Sequence, residues 1–147
     1  MYCVFSINTS YKRLYKLIDS MPDGDCLCHS DFHPDNILSN ENGDYIIDWA
    51  DCFNGNACAD VARTLLTLKT ADIPENVSIF TRIIITFIRN RFSNIYIKEY
   101  LKISGKTVKQ IDEWELAVAA YRLCAAKKTE KSTILKIINR YLEKAKT

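Results

Sequence analysis

"HSDFHPDNILSNENGDYIIDWADC", residues 29–52, decides how this chain is read. It gathers both histidines of the protein, an asparagine and a row of aspartates around what reads as one tight turn. Asn42-Gly43 stands between the apolar runs "NILS" and "YIIDW", a strong hairpin signal because both turn residues tolerate positive φ. A hairpin returns the chain and brings Asp48 close to Asn36. Strict strand alternation would put those two on opposite faces, so at least one must leave ladder geometry, as strand ends readily do. Asp31 and Asn36 lie across a loop broken by Pro34, so neither is locked on a regular element.

Working outward, "TSYKRLYKLIDSM" places Tyr11, Leu14, Tyr15 and Ile18 at helical spacing, with Thr9 or Ser10 as N-cap. "MPDGD" ends that helix, and "CLCH" reads as a short buried strand. After "FNGNA" the chain becomes helical and stays so. "ACADVARTLLTL" is one helix with Asp60 near its N-terminal end, and "PENVSIFTRIIITFIRNRF" is another with Pro74 at its first turn. "VKQIDEWELAVAAYRLCAA" and "KSTILKIINRYLEKA" make at least two more. The expected fold is α+β and mostly helical: a single domain over residues 1–147, with a small β element that cannot stand alone and helices behind it.

A chain of 147 residues is long enough for one domain with a proper core. Hydrophobic residues at 48% and charged residues at 26% are ordinary for a globular protein and argue against disorder. A formal charge of +2 points to no nucleic acid. The lysines and arginine from Lys127 to Lys146 form a basic tail, but a helix with a lysine-rich polar face needs no partner. No apolar run reaches the ~20 residues of a membrane span. "MYCVFSINTSYKRL" has no basic leader, so a cytoplasmic protein is expected. The six cysteines then read as reduced thiols, with Cys26, Cys28 and Cys124 as small core residues. Zinc on Cys26, Cys28, His29 and His33 is disfavoured, because there is no C-x-x-C pair and adjacent strand positions point to opposite faces.

The acids suggest a different metal. A carboxylate and an amide oxygen, Asp48 and Asn36, are hard donors that suit Mg²⁺, which keeps several waters and takes one or two protein carboxylates plus substrate phosphates. Asp31 is then free to accept a proton from an attacking hydroxyl. An EF-hand fails, since its central Gly and final Glu are absent. The ordinary alternative stands beside this: Asp31, Asp35 and Asp48 as turn formers and caps.

"HSDFHPDN" resembles the catalytic loop of the aminoglycoside phosphotransferase and choline kinase group, His-x-Asp-x-x-x-x-Asn, shared in outline with protein kinases. Further on, "IIDWADCFNGNACADVART", whose Asp48 lies twelve residues after Asn36, resembles that family's next block: an apolar strand ending in a metal-binding Asp, then Trp, a loop, and a helix opening with Asp. The resemblance covers residues 10 to 70. It implies a kinase-like C-terminal lobe and transfer of phosphate from ATP, with Mg²⁺, to a small-molecule hydroxyl. Asp31 matches the catalytic base, and Asn36 and Asp48 match the magnesium ligands. His29 matches a loop-bracing residue, His33 fits the loop's shape, and Asp60 matches a structural acid. Trp49 and Asp51 are candidates for substrate contact, beside their ordinary roles as core tryptophan and surface acid. Ser30 departs from the pattern, where Gly is usual. The acceptor expected first is an aminoglycoside, then choline, another amino alcohol or a sugar. Further acidic candidates for a cationic acceptor are Asp112, Glu113 and Glu115, near Trp114 and Tyr121.

Kinases of this kind cover the nucleotide with a β-rich N-lobe that supplies a Lys. Here the residues before the loop read as one helix and a turn, and Gly24, Gly43, Gly55 and Gly105 are too scattered to form a glycine-rich loop. The expectation is a C-lobe alone, with an exposed apolar face that invites self-association or a complementing N-lobe. A non-catalytic lobe that binds a ligand or a protein is the second reading. A helical domain whose loop acids only cap and turn is the third.

Overall fold

The structure, a computed structural model, describes residues 9–71, 73–74, 76–126 and 128–144. Among these residues six helices dominate: α1 (Thr9–Asp19), α2 (Ala57–Thr70), α3 (Ile79–Ser104), α4 (Val108–Asp112), α5 (Glu115–Ala125) and α6 (Lys128–Lys144). Four short strands, β1 (Cys26–Cys28), β2 (Ile37–Asn40), β3 (Gly43–Ile46) and β4 (Phe53–Gly55), make two antiparallel pairs. The fold is α+β and mostly helical, as expected.

α2 is the axis of the molecule. Asn56 caps it by accepting a hydrogen bond from the Cys58 amide at 2.9 Å. Its apolar positions Cys58, Val61, Ala62 and Leu66 recur at helical spacing and are buried against Ile111 of α4, Leu116 and Val118 of α5, and Ile134 and Ile138 of α6. α1 already includes Thr9 and Ser10, so neither caps it and its cap lies outside the described residues. Pro74 does not open α3. Ser78 does, its hydroxyl accepting from the Thr81 amide, while the Pro74 carbonyl accepts from Arg82. The stretch read as one helix from Val108 tightens at Trp114, whose amide donates to the Ile111 carbonyl three residues back, and so divides into α4 and α5. A capping box of Thr107 and Gln110 starts α4.

The hairpin forms with Ile37 opposite Ile46 and Asn40 opposite Gly43. Only Gly43 takes a positive φ, at 135°; Asn40 tightens the turn instead by accepting from the Asn42 amide. The second pair went unread in the sequence: "FNG", taken as loop, is β4 and lies along β1 with Cys28 opposite Phe53. The strand ends come together because Gly24 has no side chain. A Cβ there would stand 2.5 Å from the Gly55 carbonyl oxygen. Cys28 is buried, but Cys26 and Cys124 are exposed, not core residues. Alternation puts Cys26 on the same face as Cys28, so its exposure comes from its place at the outer end of β1, and the outer face of α5 explains Cys124.

Candidate functional site

The loop after β1 is held from α2. Both oxygens of the Asp60 carboxylate accept backbone hydrogen bonds, from the His29 amide at 2.9 Å and the Ser30 amide at 2.7 Å. Asp60 stands in the first turn of α2, where the helix dipole favours an anion. Three residues on, and so on the same side of the helix, Arg63 donates through Nε to the Ser30 carbonyl. One helix face therefore takes up both polar groups of Ser30's backbone. Ser30 needs this, because its φ is 70°, in the left-handed region that a side chain disfavours. The Gly usual at that position in the kinases this loop resembles has a plain reason here.

His29 ties the loop to the second acidic segment. It is 3% exposed, and its Nε2 lies 2.9 Å from the Ile47 carbonyl while its Nδ1 accepts from the Asp31 amide at 3.3 Å. That pairing assigns the Nε2–H tautomer. The Trp49 ring rests against the imidazole, centroids 4.6 Å apart, and its Nε1 donates to the Ile46 carbonyl. Trp49 is thus at the surface, not in the core, and covers His29.

Past Asp31 the chain makes a single 3-10 turn, Pro34–Asn36. The buried Asn36 donates through Nδ2 to the Asp31 carbonyl at 2.9 Å, which turns its Oδ1 to the other side of the amide. The Ile47 amide donates to the Asn36 carbonyl at 3.0 Å, so Asp48 follows directly on a residue bonded to Asn36. Neither residue sits in the ladder: Asn36 precedes β2, and Asp48 lies beyond β3 with φ 62°. His33 stands beside Asp31, its Nε2 3.4 Å from the carboxylate, with Asp35 3.8 Å from its Nδ1. The same Nε2 is 3.3 Å from Asn36 Nδ2. A proton on it favours the Asp31 contact, and its absence lets the nitrogen accept from Asn36.

His29, Asp31, His33, Asn36, Asp48 and Asp60 are therefore one connected unit. An amide oxygen and a carboxylate are the right donors for a hard cation, leaving its other positions to water and phosphate. Among the described residues, no group of three His, Cys, Asp or Glu side chains converges as a metal cluster, and no side chain pairs with the Asp48 carboxylate.

Asp51 lies elsewhere, on a cleft of about 470 Å³ between the loop and α5 that Ser30, Arg63, Trp114 and Tyr121 also line. Glu115, weighed for the same role, belongs to the scaffold: it meets Arg140 at 2.9 Å and Lys69 at 3.6 Å and accepts from the Tyr141 hydroxyl at 2.9 Å. Asp112 lies with it, away from the cleft, and Glu113 does not line it either. Arg63 was missed in the sequence, where its only signal was its place one turn after Asp60. Burial, with Asp60 and Cys26 nearby, pushes the Cys28 thiol up to about 11, which suits a packing residue rather than a nucleophile.

A model of the phosphotransferase enzyme family matches residues 11–84, half of the chain, from α1 through the loop, both strand pairs and α2 into α3. Neither a curated protein nor a solved structure gives a significant match.

Proposed function

The chain belongs to the phosphotransferase enzyme family, and from that premise we propose that it is the catalytic lobe of an ATP-dependent kinase acting on a hydroxyl of a small molecule. Asp31 accepts the hydroxyl proton as the oxygen attacks the γ-phosphorus. The bond from that phosphorus to the bridging oxygen breaks, ADP leaves, and the proton passes from Asp31 to solvent. The Asn36 amide oxygen and the Asp48 carboxylate would hold Mg²⁺, which neutralises charge on the phosphates. His29 and Asp60 act through the backbone, holding the Asp31 loop and the Asp48 segment in one register. His33 orients Asp31. The acceptor enters by the cleft that Asp51 lines; an aminoglycoside, choline, another amino alcohol and a sugar are the classes to try.

The observation that carries this reading is the double tether of His29, its amide on Asp60 and its ring on the Ile47 carbonyl. A loop that only turned the chain would not need its histidine bonded to the residue before Asp48. Transfer from ATP to a panel of these acceptors, followed by phosphorus NMR, tests it. Product should form with at least one class and fall by roughly 10²–10⁴ in Asp31→Asn, as for loss of a general base. Product formed equally by Asp31→Asn would overturn the assignment.

A second reading has its own support. Leu38, Tyr45, Ile46 and Ile47 are all exposed on the hairpin beside Asn36 and Asp48. Such a patch suits a covering lobe or a protein partner. On that reading residues 1–147 act as a lobe that binds, and transfer requires the partner that holds the phosphates.

A further inference from the structure

Arg63 carries a charge that the fold leaves unanswered. Its guanidinium is half-buried and donates once, through Nε to the Ser30 carbonyl. Its Nη1 is buried with no hydrogen-bond partner among the described residues, and none of the ion pairs there involves it. Asp60, the nearest acid along the helix, has both oxygens committed to backbone amides. The Tyr121 ring under the guanidinium, 5.4 Å from centroid to Cζ, offsets part of the charge. A half-buried guanidinium that lines a cleft and has no acid partner among the described residues fits an anionic ligand, which it meets with a charge-assisted hydrogen bond.

Arg63 lines the cleft, together with Phe53, Trp114 and Tyr121 and the carboxylates of Asp23 and Asp51. Apolar walls with a few fixed polar groups are the usual make-up of a small-molecule site. A purely cationic ligand would satisfy the two aspartates and set a like charge against Arg63. A ligand with a carboxylate answers Arg63, and an ammonium or hydroxyl on the same molecule answers the aspartates. We infer that this cleft takes a hydroxyl compound bearing a carboxylate, of the hydroxy amino acid or sugar acid class, and that Arg63 reads that carboxylate. The inference rests on the phosphotransferase reading only in taking this cleft as the acceptor side.

Matched ligands test it by differing in the carboxylate: L-homoserine against 3-amino-1-propanol, and D-glucuronate against D-glucose. Each is titrated into the nucleotide-free chain and followed by amide NMR shifts, in wild type, Arg63→Gln and Arg63→Lys. At least one carboxylate member should bind about tenfold or more tightly than its partner, as a charge-assisted pair gives. Shifts should centre on Ser30, Arg63 and Tyr121, and the preference should vanish in Arg63→Gln and persist in part in Arg63→Lys. No preference in wild type, no binding of any of the four, or a preference that survives Arg63→Gln would overturn the inference. If Arg63→Gln does not fold, the wild-type ratios and Arg63→Lys decide. Binding of Mg·ATP by the same wild type is read separately, so a failed carboxylate preference is distinct from a failed phosphotransferase reading.

Discussion

Ser30 and Asp48 are the two described residues other than glycine whose backbone is left-handed, at φ 70° and 62°. Both stand in segments where a catalytic group is expected, and such strain collects where the surrounding bonds impose it. At Ser30 those bonds are visible, from Asp60 to the amides and from Arg63 to the carbonyl. Ser30→Gly should raise stability by about 1 kcal/mol, the cost of left-handed backbone in an L-residue, as a higher denaturant midpoint will show. Asp60→Ala leaves two backbone amides without acceptors and should cost about 2–4 kcal/mol. Hydrogen exchange should then quicken at His29 and Ser30 ahead of the core. The loop was legible because His29, Asp31 and Asn36 fall within one short stretch; the roles expected of them came from the resemblance to the phosphotransferase loop, not from spacing. Arg63 was not legible, because its meaning depends on how α2 is rotated against that loop.

The hairpin was legible at the level of elements, since Asn-Gly between two apolar runs leaves little else to form. Its neighbour was not. β4 is three residues long and contains asparagine and glycine, poor strand formers, so only the partner strand makes it a strand. Gly24 is what lets the pair close, and Gly24→Ala should destabilise the protein by more than about 2 kcal/mol, because the new methyl meets backbone atoms that cannot swing away. Urea unfolding checks this. The α4–α5 break was invisible for a related reason: residues 113–114 carry no glycine or proline, and the helix tightens where Trp114 turns in beside the cleft.

Across the whole molecule the apolar surface is unevenly placed. α3 runs for 26 residues without one buried, and Ile79, Phe80, Ile83, Ile84, Phe87 and Ile88 are all exposed. The sequence marked this stretch only as a helix, since a pattern cannot say whether a partner face exists. No helix among the described residues is long and apolar enough to cross a membrane. Two phenols make the fold sensitive to alkali. Burial pushes Tyr96 from the usual 10 up to about 12, and burial together with Glu115 does the same to Tyr141. Both are raised above their unfolded values, so the stability they contribute is intact below pH 10 and lost as pH rises through 10 to 12. The Cys28 thiol, raised from 9 to about 11, starts this loss earlier, from pH 9. Denaturation midpoints should therefore hold level up to pH 9 and fall beyond it, less steeply above pH 10 in Tyr96→Phe.

The central proposal is that Asn36 and Asp48, linked through the Ile47 amide, form a magnesium–nucleotide half-site. Calorimetric titration of Mg·ATP into the folded chain, with Asp48→Ala as control, tests it most directly. Saturable binding in wild type that disappears in Asp48→Ala is the predicted result. No binding at millimolar nucleotide by well-folded wild type, or equal binding by the variant, would contradict it.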